Sequence, residues 1–95
     1  MTSRVEKIRS RLEAALAPSF IELLDDSHSH AGHAGAVERG GGHFYATIVA
    51  SAFEGKTLVQ RHQLVYGALG EMMRTDIHAL SIKAFTPHEF KQQEN

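Results

Sequence analysis

The residues in this chain with chemistry to offer are its histidines. Its 95 residues include seven of them and no cysteine, and four of the seven fall between His28 and His43. The densest stretch reads Ser27-His28-Ser29-His30-Ala31-Gly32-His33-Ala34-Gly35. Imidazole is the commonest protein metal ligand, and it changes charge near physiological pH. With no thiolate in the chain, a metal bound here is bound by nitrogen, or with sulfur borrowed from a partner. His-x-His and His-x-x-His in a loop fix no geometry, so the same residues read equally as a solvated loop that binds nothing. His78 opens an apolar strand pattern on the face of Leu80 and Ile82. It reads either as a ligand or as a core-edge histidine with a hydrogen-bonded ring. His62 falls in the apolar stripe of a helix and reads as a packed side chain bonded through one ring nitrogen. Arg61 beside it is expected to face outward.

Other chemistries find less support. There is no cysteine nucleophile, and no serine sits in a nucleophile elbow. Asp25 and Asp26 are adjacent on a strand and point to opposite faces. Gly40-Gly41-Gly42 lacks the lysine and following helix of a phosphate-binding loop. Lys56, Arg61, Arg74 and Lys83 could form a patch for nucleic acid around one helix. A formal net charge of −1 supplies no global field to support it. No run approaches 18 apolar residues, so no membrane span is expected, and the first residues lack the apolar run of a signal peptide. Absence of cysteine suits a reducing cytoplasm.

These side chains need elements to position them, and the length allows one domain over residues 1–95 with one modest core. Ser3 and Glu6 form a capping box ahead of a helix to Leu16, with Val5, Ile8, Leu12, Ala15 and Leu16 on one face and Pro18 as the stop. Phe20 to Leu24 reads as a strand. Residues of about 28–42 read as a long flexible loop. From His43 to Ser51 apolar and polar residues alternate with the period of a strand, and an antiparallel hairpin with the first strand is expected. Phe53-Glu54-Gly55-Lys56 is a turn. Thr57 and Gln60 cap a helix that ends at Arg74-Thr75-Asp76, with Leu58, His62, Val65, Leu69 and Met72 as its buried stripe. Ile77 to Phe85 is a third strand. Pro87 starts a short last helix, and about 91–95 form a frayed tail. The order α-β-β-α-β-α predicts an α+β domain, a three-stranded mixed sheet with helices packed on one face.

With the elements placed, the chain resembles the BolA family. Phe53 to Tyr66 is similar to that family's Phe-x-Gly turn followed by Arg-His on a helix. Ile77-His78-Ala79-Leu80-Ser81-Ile82 is similar to its second signature. Asp26 to Gly35 with Gly42-His43-Phe44 resembles its loop and second strand. The likeness runs from about Val5 to Phe90, and departs in the extra loop histidines and the Gly40–Gly42 run.

The resemblance implies a class II KH-like fold. It also implies a non-enzymatic role with a monothiol glutaredoxin in iron–sulfur cluster trafficking or iron regulation. The [2Fe–2S] cluster would be shared: a cysteine and glutathione on the glutaredoxin side, His78 and a loop histidine on this side. His30 carries over best and His33 is the alternative. No cluster is expected on the isolated chain, which would be a monomer or weak homodimer. Some family members are described as DNA-binding transcriptional regulators that use the region after the Phe-x-Gly turn. This marks Gly55, Lys56, Arg61 and His62 as candidate partner or nucleic-acid contacts.

Overall fold

The computed structural model describes residues 3–25 and 43–93. They form α1 (Arg4–Leu16), β1 (Phe20–Asp25), β2 (His43–Val49), a 3-10 turn (Ser51–Phe53), α2 (Leu58–Leu69), α3 (Met72–Thr75), β3 (Ala79–Phe85) and α4 (Pro87–Gln93). The expected loop of about 28–42 and residues 94–95 lie outside the described residues.

The caps form as their residue types require. The Ser3 hydroxyl accepts the Glu6 N–H at 3.1 Å, and the Glu6 carboxylate accepts the Ser3 N–H at 3.2 Å. Thr57 and Gln60 repeat the arrangement at α2, at 3.1 and 2.9 Å. Each box satisfies two backbone donors that the helix itself leaves unpaired. Ahead of α2, the Phe53 carbonyl accepts the Lys56 N–H at 3.1 Å. Glu54 has φ −64 and ψ 136, and Gly55 has φ 75. This is a type II turn, whose third position needs a positive φ and therefore glycine.

The sheet order is β1-β2-β3, with β1 antiparallel to β2 and β3 parallel to β2. Ile8, Leu12 and Leu16 of α1 and Val65 and Leu69 of α2 pack with Leu23, Phe44, Ala46, Ile48 and Ala84 of the sheet. Fully burying one such aliphatic side chain is worth about 1.5–3 kcal/mol, so these contacts hold the two long helices on one face. Ala15, expected on the α1 stripe, is exposed. The opposite parity row, Phe20, Val49 and Phe85, receives Phe90 of α4, with ring centroids 5.2 Å from Phe20 and 5.8 Å from Phe85. That contact explains why α4 continues through Gln93, so residues 91–93, expected as frayed tail, are helical.

Two features of the second long helix differ from expectation. It does not run to Asp76 but breaks at Gly70, where φ 53 and ψ −125 leave the helical region, and α3 restarts two residues later. Its buried stripe differs in part: Val65, Leu69 and Met72 are buried as expected and Arg61 is buried with them, while Leu58 is 65% exposed and His62 is half-buried. Arg61 does not face outward. An arginine stem packs as an apolar chain once its guanidinium finds acceptors, and a reading that counts arginine as polar misplaces the stripe.

Candidate metal centre

β2 and β3 are parallel and start together: His43 is paired with Ala79, and Phe44 with Leu80 on one side and Asp25 of β1 on the other. His78 precedes Ala79, so His78, His43 and the end of β1 share one end of the sheet. Ile77, 4% exposed, anchors this corner. Its N–H and that of Asp76 both donate to the Met72 carbonyl, at 2.9 and 3.0 Å. The bend after this plug leaves His78 exposed, not packed at a core edge. His43 is half-buried, with its ring stacked on Tyr45 at 5.4 Å and 17°.

His28, His30 and His33 lie outside the described residues. The segment containing them leaves the sheet at Asp25 and returns at His43, at the end where His78 stands. Among the described residues no group of three or more His, Cys, Asp or Glu is placed to hold a metal ion. Exposed imidazole at this corner can donate neutral nitrogen to a metal whose remaining ligands come from elsewhere. The sequence reading passed over His43. Its place at the head of the β2 alternation was visible, but its nearness to His78 follows only from the parallel register.

The other candidate contacts lie at the far end of β3. Seven residues, roughly 20 Å of strand, separate His78 from the region of Ala84 and Phe85. There Lys56, Arg61 and Glu89 border a shallow hollow of about 360 Å³. Gly55 and Lys56 are exposed on their turn. His62 meets Tyr66 edge-on at 6.4 Å. Arg61, named above as a candidate contact, is committed internally. Its Nε donates to the Lys56 carbonyl at 3.0 Å, and its Nη1 to the Ala84 carbonyl at 3.1 Å. Nη1 and Nη2 also grip the Glu89 carboxylate at 2.7 and 3.1 Å. Glu89 Oε1 further accepts the Thr86 N–H at 2.9 Å, and the Thr86 hydroxyl accepts the Glu89 N–H at 3.2 Å. The Arg61 hydrogen bond, the Thr86 N–H and the Arg61 charge hold the Glu89 carboxyl at about 2, against an ordinary value of 4.5. The same hydrogen bond raises Arg61. A guanidinium so engaged clips the turn, β3 and α4 together and is not offered to a phosphate. Pro87 announced the start of a helix, but nothing local announced the ion pair.

The fold is a small α+β domain with an exposed histidine, His78, at one corner of its sheet. The family model described as BolA-like protein matches residues 12–89, and the chain belongs to the BolA-like family. It is 46% identical over 91 residues to SufE-like protein 1, chloroplastic/mitochondrial, of Arabidopsis thaliana, covering 92% of this chain and 24% of that protein. It is 44% identical to Protein BOLA1, chloroplastic, of the same plant, covering 92% of this chain and 56% of that one. The solved structure of BolA1 from Arabidopsis thaliana superposes with a TM-score of 0.81 at 43% identity, covering 94% of this chain and 97% of that chain. A further relative, 34% identical over 90% of this chain and 78% of its own length, is the DNA-binding transcriptional regulator BolA of Escherichia coli K12. The chain thus spans about a quarter and about half of the two plant proteins. Among the described residues no helix is long and apolar enough to cross a membrane.

Proposed function

We propose that this chain is a non-enzymatic adaptor that shares a [2Fe–2S] cluster with a monothiol glutaredoxin. The observation that supports this is the exposure of His78 at the corner where the histidine-rich segment leaves and rejoins the sheet. We assign His78 as one ligand and His30 as the second, with His33 the alternative. The chain has no cysteine, so the thiolates come from the partner's cysteine and from glutathione on the partner side. Two imidazoles in place of two thiolates raise the potential above that of an all-thiolate cluster, as in Rieske centres. The proposed setting is the cytoplasm, with the chain monomeric or weakly dimeric until the partner docks.

Mixing the chain with cluster-loaded glutaredoxin is expected to change the visible absorption and circular dichroism of the cluster. His78→Ala removes most of that change. Of His30→Ala and His33→Ala, the former has the larger effect. A full spectral change in the His78→Ala variant overturns the assignment.

The second reading, a DNA-binding regulator, has in its favour the name of the Escherichia coli relative and the exposed Lys56. The burial of Arg61 removes the strongest phosphate contact that it had.

A further inference from the structure

α2 is a surface helix whose outer face carries no charge. Among its 12 residues the one formal charge is Arg61, which is spent on Glu89. Leu58, Val59, His62 and Tyr66 fall within one arc of about 100° around the helix axis. Leu58 is 65% exposed, Val59 66% and Tyr66 41%. His62 lies between them, half-buried, with its ring edge-on to Tyr66 at 6.4 Å. Gln60, Gln63 and Gly67 complete the exposed surface and are neutral. The outer face of a surface helix ordinarily carries charged residues, and depletion of charge around exposed tyrosine marks the centre of a protein–protein contact. The charges stand at the two ends instead. Lys56 precedes the helix and Glu71 follows it, both exposed. Among the described residues neither the Lys56 ammonium nor the Glu71 carboxylate has a hydrogen bond or ion pair.

We infer that this face of α2 packs on the same face of a second copy of the chain, the two helices antiparallel about a twofold axis beside His62 and Gln63. A face without charge meets itself without like-charge repulsion, which opposes most contacts between identical surfaces. Antiparallel pairing sets the Lys56 end of each helix beside the Glu71 end of the other, so two ion pairs form at once. It also opposes the two helix dipoles, N-terminus to C-terminus. Leu58 and Val59 of one chain then cover Tyr66 of the other. Size sets the strength: a helix about 18 Å long and about 10–12 Å wide has a footprint on the order of 200 Å². A stable interface needs about 800 Å² per partner, so this contact is weak and reversible. It is independent of cluster sharing, since none of the ligands assigned above lies on α2.

The contact is tested on the free ¹⁵N-labelled chain by dilution from about 1 mM to about 50 μM, with sedimentation velocity over the same range. The amide signals of residues 56–71 are expected to shift with concentration, and the mean mass to fall toward that of one chain. Tyr66→Lys removes the aromatic anchor, puts a charge on the neutral face and weakens the association by about tenfold or more. The position is exposed, and a dispersed amide spectrum checks that the variant folds. Lys56→Glu and Glu71→Lys each weaken the association about fivefold, and the double variant restores it by exchanging the charges. No concentration dependence up to about 1 mM, or a Tyr66→Lys variant that associates as the parent does, overturns the proposal. So does an association lost in Leu24→Lys and kept in Tyr66→Lys, which assigns the contact to the open face of the sheet. Single charge variants without effect, or a double variant weaker than either single, overturn the antiparallel arrangement. If cluster-free glutaredoxin moves the signals of residues 58–66 and dilution leaves them still, the face belongs to the glutaredoxin and a second copy is the wrong occupant.

Discussion

Arg61 shows how much one side chain can join. It ties the carbonyls of Lys56 and Ala84 to the carboxylate of Glu89, so the turn before α2, the end of β3 and the start of α4 share one guanidinium. The pair is unequal in exposure: the Arg61 side chain is 9% exposed and that of Glu89 is 44%. Solvent therefore screens the charge attraction, and the geometry of the bonds matters more than their Coulombic strength. The acid side of the stability profile follows with a definite sign. Glu89 titrates near 4.5 when unfolded and near 2 when folded. Its contribution is complete above about pH 4.5 and is lost as pH falls toward about 2. In Glu89→Gln, the midpoint of urea unfolding should be lower at neutral pH, and its difference from the parent should shrink as pH falls through that window. A difference that stays constant from pH 6 to pH 2 counts against the pair. The sequence concealed this arrangement because Arg61 and Glu89 are 28 residues apart, and no local pattern reports a contact at that separation.

Among the elements, those governed by neighbouring residues were the legible ones. Two capping boxes, the Gly55 turn, the β2 alternation and Pro87 at the head of α4 all depend on residues within four positions of one another. The break after α2 was less legible, because Met72 continues the apolar spacing and glycine is tolerated within helices. Gly70 takes φ 53 and ψ −125, where a Cβ is strained although it would meet nothing nearer than 3.8 Å. Gly67, inside α2, would meet nothing within 4 Å and is not at positive φ. Gly70→Ala is expected to destabilise by about 1–3 kcal/mol. Gly67→Ala should stabilise by about 0.5–1 kcal/mol. Chemical denaturation of both variants checks the pair of signs, and equal effects would show that α2 and α3 are one continuous helix.

For the whole molecule, topology sorts the candidate residues into two groups. The parallel β2–β3 pairing gathers His43 and His78 at one end, while Gly55, Lys56 and Arg61 belong to the other. A net charge of −1 and the commitment of Arg61 leave little to hold a phosphate backbone, whose binding depends on many cationic contacts. Duplex DNA is expected to remain unshifted by the chain at about 0.15 M salt. A retained complex that weakens steeply as salt rises would revive the regulator reading. The sequence by itself determined which donors the chain has: imidazole nitrogen is abundant and thiolate absent, so sulfur at any metal bound here would have to be borrowed. It also determined the element order, because caps, turns and periodicity are local. The tertiary structure alone decided that Arg61 points inward, that His78 stands in the open, and that the two groups of candidates are a strand apart. Those facts depend on which strands pair and in which direction, and pairing is set by burying one face of each element against all the others.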